Sequence, residues 1–233
     1  MLRFASLLFF CALANATLGQ SVLPADSLIL VKLYEATNGV SWAVDWDFDE
    51  AVNEWAGITI LDQRVVGIQL GSKNLHGELP DELKGLSELE QLVLPNNFLF
   101  GTFPEMLTHC SKLRVLNLSG NNLGGQIPFS VTYLSQLQRL TLSGNQFSGE
   151  LPPYLGDMIS LEFLVLSNNQ FHGLLPPTIG QLYQLQVLNL SDNQLEGSIP
   201  DTFRNLRSLI SFALNGNLIP EADIDKWNKY FLR

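Results

Sequence analysis

The chain has 233 residues, 46% of them hydrophobic, which is ample material for a sizeable core and by length alone allows one domain or two. Its 23 acidic residues outnumber 13 basic ones, and the resulting net charge of −10 argues against nucleic acid or an anionic membrane as partner.

Residues 1–16 combine a basic Arg3, an apolar run from Phe4 to Ala14 and the small-residue pattern Ala14-Asn15-Ala16, which predicts a secretory signal peptide cleaved after Ala16. Cleavage removes Arg3 and Cys11 but no acidic residue, so the mature chain is more acidic still and keeps Cys110 as its single thiol. No second apolar run of spanning length follows. We therefore expect a secreted protein with no membrane span, held together by packing and not by an intrachain disulfide.

Residues 17–64 read as an N-terminal cap. In "LPADSLILVKLYEATNG", Pro24 and Asp26 are start signals, Leu28, Leu30, Val31, Leu33 and Tyr34 are apolar, and Asn38-Gly39 is a stop, which predicts a helix. Trp42, Trp46 and Trp55 then supply large apolar surfaces. The segment "DWDFDE", residues 45–50, has alternate carboxylates like the opening of a calcium loop. Its sixth position is Glu50 instead of glycine and its twelfth is Ala56, so we read a solvated acidic loop.

From residue 65 to 220 the chain repeats itself every 24 residues. The copies are "VVGIQLGSKNLHGELP" from Val65, "LEQLVLPNNFLFGTFP" from Leu89, "LRVLNLSGNNLGGQIP" from Leu113, "LQRLTLSGNQFSGELP" from Leu137, "LEFLVLSNNQFHGLLP" from Leu161, "LQVLNLSDNQLEGSIP" from Leu185 and a truncated "LISFALNGNLIP" from Leu209. The pattern L-x-x-L-x-L-x-x-N-x-L is identified as the leucine-rich repeat, seven copies of which predict an α/β solenoid, a horseshoe with a parallel concave sheet. Positions 4 and 6 of each repeat point into the core and positions 3 and 5 onto the concave surface. The asparagines of position 9, Asn97, Asn121, Asn145, Asn169, Asn193 and Asn217, are expected to turn inward and pair with backbone groups, with Lys73 breaking the column in the first coil. Gly at position 13 and Pro at position 16 bend each full coil alike.

Residues 221–233 read as the C-terminal cap, with Ile224, Trp227, Tyr230 and Phe231 at helical spacing. The "L-x-G-x-[IL]-P" extension resembles plant-type extracellular leucine-rich repeat proteins, which include receptor-kinase ectodomains and polygalacturonase-inhibiting proteins. "NEWAGITI" is similar to the C-x-W-x-G-V-x-C motif of their N-terminal caps at Trp55, Gly57 and Ile58, with Asn53 and Ile60 where the cysteines would stand.

Catalytic and metal chemistry finds little support. His76 and His172 share position 12 but lie four coils apart, ~19 Å, too far to share a metal, and each reads as a solvated loop histidine. Cys110 fills a slot that is Leu86, Leu134, Met158, Leu182 or Leu206 elsewhere, so it reads as a buried, inert thiol. Glu90 and Glu162 are three coils apart, ~14 Å, beyond the ~5–9.5 Å that paired glycosidase carboxylates require. We expect no enzyme, no metal and no cofactor.

A binding surface remains. The candidate ligand-binding residues are Gln91, Val93, Val115, Arg139, Thr141, Phe163, Val165 and Val187 of positions 3 and 5, with Phe163, Val165 and Val187 forming a contiguous exposed apolar group. Asn117 and Asn189 on the same face open Asn-Leu-Ser sequons and are candidate glycosylation sites. The expected function is a secreted, monomeric recognition module that binds an extracellular protein, a peptide or a cell-wall polysaccharide through its concave face. Resemblance to polygalacturonase inhibitors implies inhibition of a secreted hydrolase as one version. The alternative is a structural or adhesive protein that meets wall polymer or ice through its repeated coil faces.

Overall fold

The computed structural model describes residues 22–231, so the expected signal peptide lies outside the described residues. The chain opens with helix α1, Pro24–Ala36, then an antiparallel pair of strands, β1 Ile58–Leu61 and β2 Arg64–Gln69. Each later coil adds one strand parallel to β2: β4 Gln91–Val93, β6 Val115–Asn117, β8 Arg139–Thr141, β10 Phe163–Val165, β12 Val187–Asn189 and β14 Ser211–Ala213. They form one eight-stranded sheet in the order β1-β2-β4-β6-β8-β10-β12-β14. Among the parallel strands, Gly67, Gln91, Val115, Arg139, Phe163, Val187 and Ser211 stand in one register row, an offset of one repeat at every step. Helix α2, Glu221–Phe231, closes the far end.

A second sheet was not foreseen from the sequence. Short strands at repeat positions 10–14, namely β3 His76–Gly77, β5 Phe98–Gly101, β7 Asn122–Gly125, β9 Gln146–Glu150, β11 Gln170–Leu174 and β13 Gln194–Glu196, pair in parallel along one flank. His76 and His172 are therefore strand residues, exposed on β3 and β11, and not loop residues. The position-13 glycine stands at or within one residue of the end of each strand with positive φ, as at Gly149 (φ +87°), where a Cβ would be strained and would meet Gln126 at 3.0 Å. Each position-16 proline then precedes a 3-10 turn, for example Pro128 before Phe129–Tyr133 and Pro200 before Asp201–Asn205.

The asparagine column forms a ladder. Asn145 Nδ2 donates to the carbonyls of Leu118 at 2.9 Å and Leu142 at 3.1 Å, while its Oδ1 accepts from the amide of Leu123 at 3.0 Å. One amide thus satisfies groups on its own coil and the coil before it, and the arrangement recurs at Asn97, Asn121, Asn169, Asn193 and Asn217. Where Lys73 interrupts the column, its backbone amide donates to Asn97 Oδ1 at 3.0 Å. Asn145→Ala strands several buried backbone groups and is expected to lower stability by ~1–3 kcal/mol, whereas Asn122→Ala, at an exposed site, should change little. Urea denaturation of the two variants provides the check, and equal midpoints would contradict the ladder.

The N-terminal cap is an aromatic cluster. Trp46 and Trp55 stack at 4.9 Å, Trp42 meets Trp46 edge-on at 4.9 Å, and Tyr34 and Phe48 fill the flanks at 5.0 Å from each other. All three indole N–H groups donate to backbone carbonyls: Trp42 to Thr37, Trp46 to Ala56 and Trp55 to Asp47, at 2.9–3.0 Å. Each aromatic pair is worth about 0.5–1.5 kcal/mol beyond its buried area, which helps hold a cap without a crosslink. The cluster also accounts for "DWDFDE": Trp46 is buried and Phe48 half-buried while Asp45, Asp47 and Asp49 face solvent, a two-residue alternation. Gly57 holds φ +83° here, and a Cβ would lie 2.3 Å from the Gln69 carbonyl.

Helix α1 starts at Pro24 with Asp26 in its first turn, as the start signals predict, and Asp26 has a second role. It is buried, accepting from Arg64 Nε at 3.0 Å, Arg64 Nη2 at 3.2 Å and the Val65 amide at 2.9 Å. Two cap residues depart from expectation. Leu28 and Tyr230 are each 42% exposed, since the first coil and the last are covered by Leu30, Val31 and Leu33 and by Ile224 and Trp227.

Candidate binding surface

Positions 3 and 5 of the repeats form two rows across the concave sheet. Arg139, Phe163 and Val187 are register partners in one row, and Thr141, Val165 and Asn189 in the other. Val115 and Gln91 continue the first row, Asn117 and Val93 the second. All eight candidate residues and both sequon asparagines therefore share one surface, because the intervening Leu92, Leu116, Leu140, Leu164 and Leu188 are buried and a strand alternates its faces.

The chemistry of that surface differs from the expected bare apolar group. Gln91 and Arg139 are exposed, but Val93, Val115, Thr141, Phe163, Val165 and Val187 are half-buried by their neighbours across the strands. The Arg139 guanidinium lies over the Phe163 ring, 4.5 Å from its centroid. The pair presents a cation on an aromatic face, with Val187 in register with Phe163 on the next strand. A side chain as long as arginine reaches across to the adjacent strand, and that contact is invisible in a pattern of alternating exposure.

Asn117 and Asn189 are also half-buried and not freely exposed. Each Oδ1 accepts from the backbone amide of the serine two residues on at 3.0–3.1 Å, and from its hydroxyl at 2.7–2.8 Å. The same Asn-x-Ser spacing that makes a sequon makes this local turn, a bond that Asn forms more readily than most residues. On the rims, Gln186 Nε2 donates weakly to Glu162 at 3.4 Å and Gln69 Nε2 to Gln91 at 3.3 Å.

On the flank sheet, Phe98 and Phe100 are half or nearly half exposed, and Phe100 meets the His76 ring edge-on at 5.7 Å. A cavity of about 260 Å³ beside them is lined by Glu78, Phe100, Thr102, Phe103 and Glu105 among others. Comparing columns would have flagged these aromatics, since position 10 is Asn or Gln in the other full repeats and position 12 is His, Gly, Ser or Glu.

Cys110 is fully buried, its Sγ 3.5 Å from the Leu83 carbonyl, and burial pushes its thiol up to about 11. A thiol that loses its proton only near that pH is essentially all protonated at neutrality and unreactive. Native protein is expected to resist thiol reagents that label it fully after unfolding, and Cys110→Ala to lose about 1 kcal/mol. Rapid labelling under native conditions would contradict this placement.

Residues 68–147 and 159–219, more than half of the chain, match the leucine rich repeat family. The chain belongs to the leucine-rich repeat family. Over 50 residues it is 50% identical to a probable leucine-rich repeat receptor-like protein kinase of Arabidopsis thaliana, a match that covers 21% of this chain and 5% of that protein. The crystal structure of a pollen receptor kinase 3 is similar with 31% identity and a TM-score of 0.72, covering 81% of this chain and 95% of that one. The ectodomain of the Arabidopsis receptor kinase HAESA, solved with an N-terminally extended IDA peptide hormone, is similar with 28% identity and a TM-score of 0.68, over 87% of this chain and 38% of that one. Among the described residues of this leucine-rich repeat chain, no helix is long and apolar enough to cross a membrane.

Proposed function

We propose that this leucine-rich repeat chain is a non-catalytic extracellular recognition module that binds a protein or peptide at the centre of its concave sheet. The observation that carries the reading is the row Arg139, Phe163 and Val187, in which a stacked cation and an aromatic ring stand beside an aliphatic side chain on three adjacent strands. Arg and aromatic residues in well-packed surroundings are the types that dominate protein interfaces, which favours a peptide over a wall polymer as ligand. The likeness to the HAESA ectodomain, solved with a peptide hormone, supports the same reading. The signal-peptide pattern of residues 1–16 supports an extracellular location.

The test begins with capture of partners from extracellular fluid by the mature chain, their identification, and titration of the captured partner. Phe163→Asp removes the ring under Arg139 without touching the core. It should fold normally and weaken binding by ~2 kcal/mol or more, about thirtyfold. Asn117→Gln and Asn189→Gln should leave affinity unchanged or raise it, because sugar on this face restricts access. A Phe163→Asp variant that binds its partner as tightly as the parent would move the site off this row.

A further inference from the structure

The C-terminal cap gathers positive charge that the concave sheet does not use. Arg204, in the 3-10 turn Asp201–Asn205, lays its guanidinium 5.3 Å from the Trp227 ring and 5.4 Å from the Tyr230 ring of α2. Lys226 and Lys229, exposed and one helical turn apart, complete the lining of a cavity of about 170 Å³. Three cations thus converge in a chain whose net charge is −10.

The acids nearby leave the two lysines unpaired. Arg204 Nε donates to the exposed Asp201 at 3.4 Å, and Lys226 and Lys229 have no ion-pair partner among the described residues. Asp223 and Asp225 stand one helical turn before Lys226 and Lys229 on α2, without an ion pair to either among the described residues, and Glu221 lies further off at the start of the helix. Trp227 is buried, and Arg204 is 49% exposed at its side chain, so its guanidinium, a planar group suited to bidentate contact with an oxyanion, sits between the cap aromatics and solvent. Tyr230 keeps part of its ring in solvent.

We propose that this cradle binds an anionic sugar residue, a pyranose ring bearing a carboxylate or a sulfate. The ring's C–H face lies against Tyr230, and the oxyanion meets the Arg204 fork and the two ammonium groups. An acidic peptide would satisfy the cations but offer no ring of matching size to Tyr230.

Calorimetric titration of the full mature chain at low salt tests this with four probes: trigalacturonate, a sulfated galactan trisaccharide, neutral galactotriose and hexaglutamate. One or both anionic trisaccharides should bind, more weakly as salt rises, while the neutral sugar and the peptide stay silent. Lys226→Glu with Lys229→Glu should cut the affinity by about tenfold or more, with far-UV circular dichroism unchanged and melting still cooperative, lowered slightly by the acids one turn earlier on the helix. Lys226→Gln with Lys229→Gln should fall between the two. Equal binding of hexaglutamate or galactotriose, no binding of either anionic trisaccharide at millimolar concentration, or full affinity in a folded double-Glu variant would each overturn the assignment.

Discussion

Leu164→Asp is expected to leave no folded protein. Leu164 is fully buried at the centre of β10, with Leu140 and Leu188 beside it in register on the neighbouring strands. An isolated carboxylate there has no cation beside it among the buried described residues, and burying one costs more than the ~5–15 kcal/mol by which a typical domain is stable. Protonation of the aspartate reduces the penalty yet still leaves a polar group without a partner and a void where the leucine packed. The contrast with Phe163→Asp, one residue earlier, is the decisive part: that side chain projects to the concave surface, so its variant should be secreted and melt cooperatively. Secretion yield and near-UV circular dichroism measure both. A soluble Leu164→Asp protein with a melting temperature near that of the parent would mean that the strand faces are assigned the wrong way round.

Asp26→Ala is expected to cost about 3–5 kcal/mol, the range for breaking one half of a buried ion pair. Were Asp26 merely a helix-start residue, the loss would be about 1 kcal/mol. Two observations favour the larger figure: the carboxylate is buried, and it accepts from both Arg64 and the Val65 amide. The Asp26 carboxylate in turn holds Arg64 still more firmly in its charged form. Arg64 keeps some solvent contact, which places the expected value toward the lower end of the range. The pair ties α1 to the first strand of the solenoid across 38 residues of sequence, so its loss should open the N-terminal cap first. Hydrogen exchange should rise in residues 24–70 before it rises in the central coils. If urea midpoints show a loss near 1 kcal/mol, the ion pair is not acting as the anchor.

The solenoid was legible in the sequence because its central contacts repeat. When one coil stacks on the next at a constant 24-residue offset, Asn145 meets the same environment as Asn121 and Asn169, and Cys110 takes a slot that leucine fills elsewhere. A column of like residues therefore reports its own burial, face and bonding. The eight candidate residues could be placed on one face by the same logic, since strand alternation and the repeat register leave them no other. What a column cannot report is contact between unlike positions. Arg139 over Phe163 depends on two particular side chains meeting across strands, and it turns an expected apolar patch into a stacked cation. The flank sheet arises as the glycine and proline of each coil hold six short segments parallel, each with at most one buried apolar side chain such as Phe171 or Leu195, too short an alternation to announce a strand. Asp26 with Arg64, and Arg204 with Trp227, join caps to coils only once the chain has closed. Such contacts occur once, without a repeated copy to reveal them, and only the tertiary structure decided them.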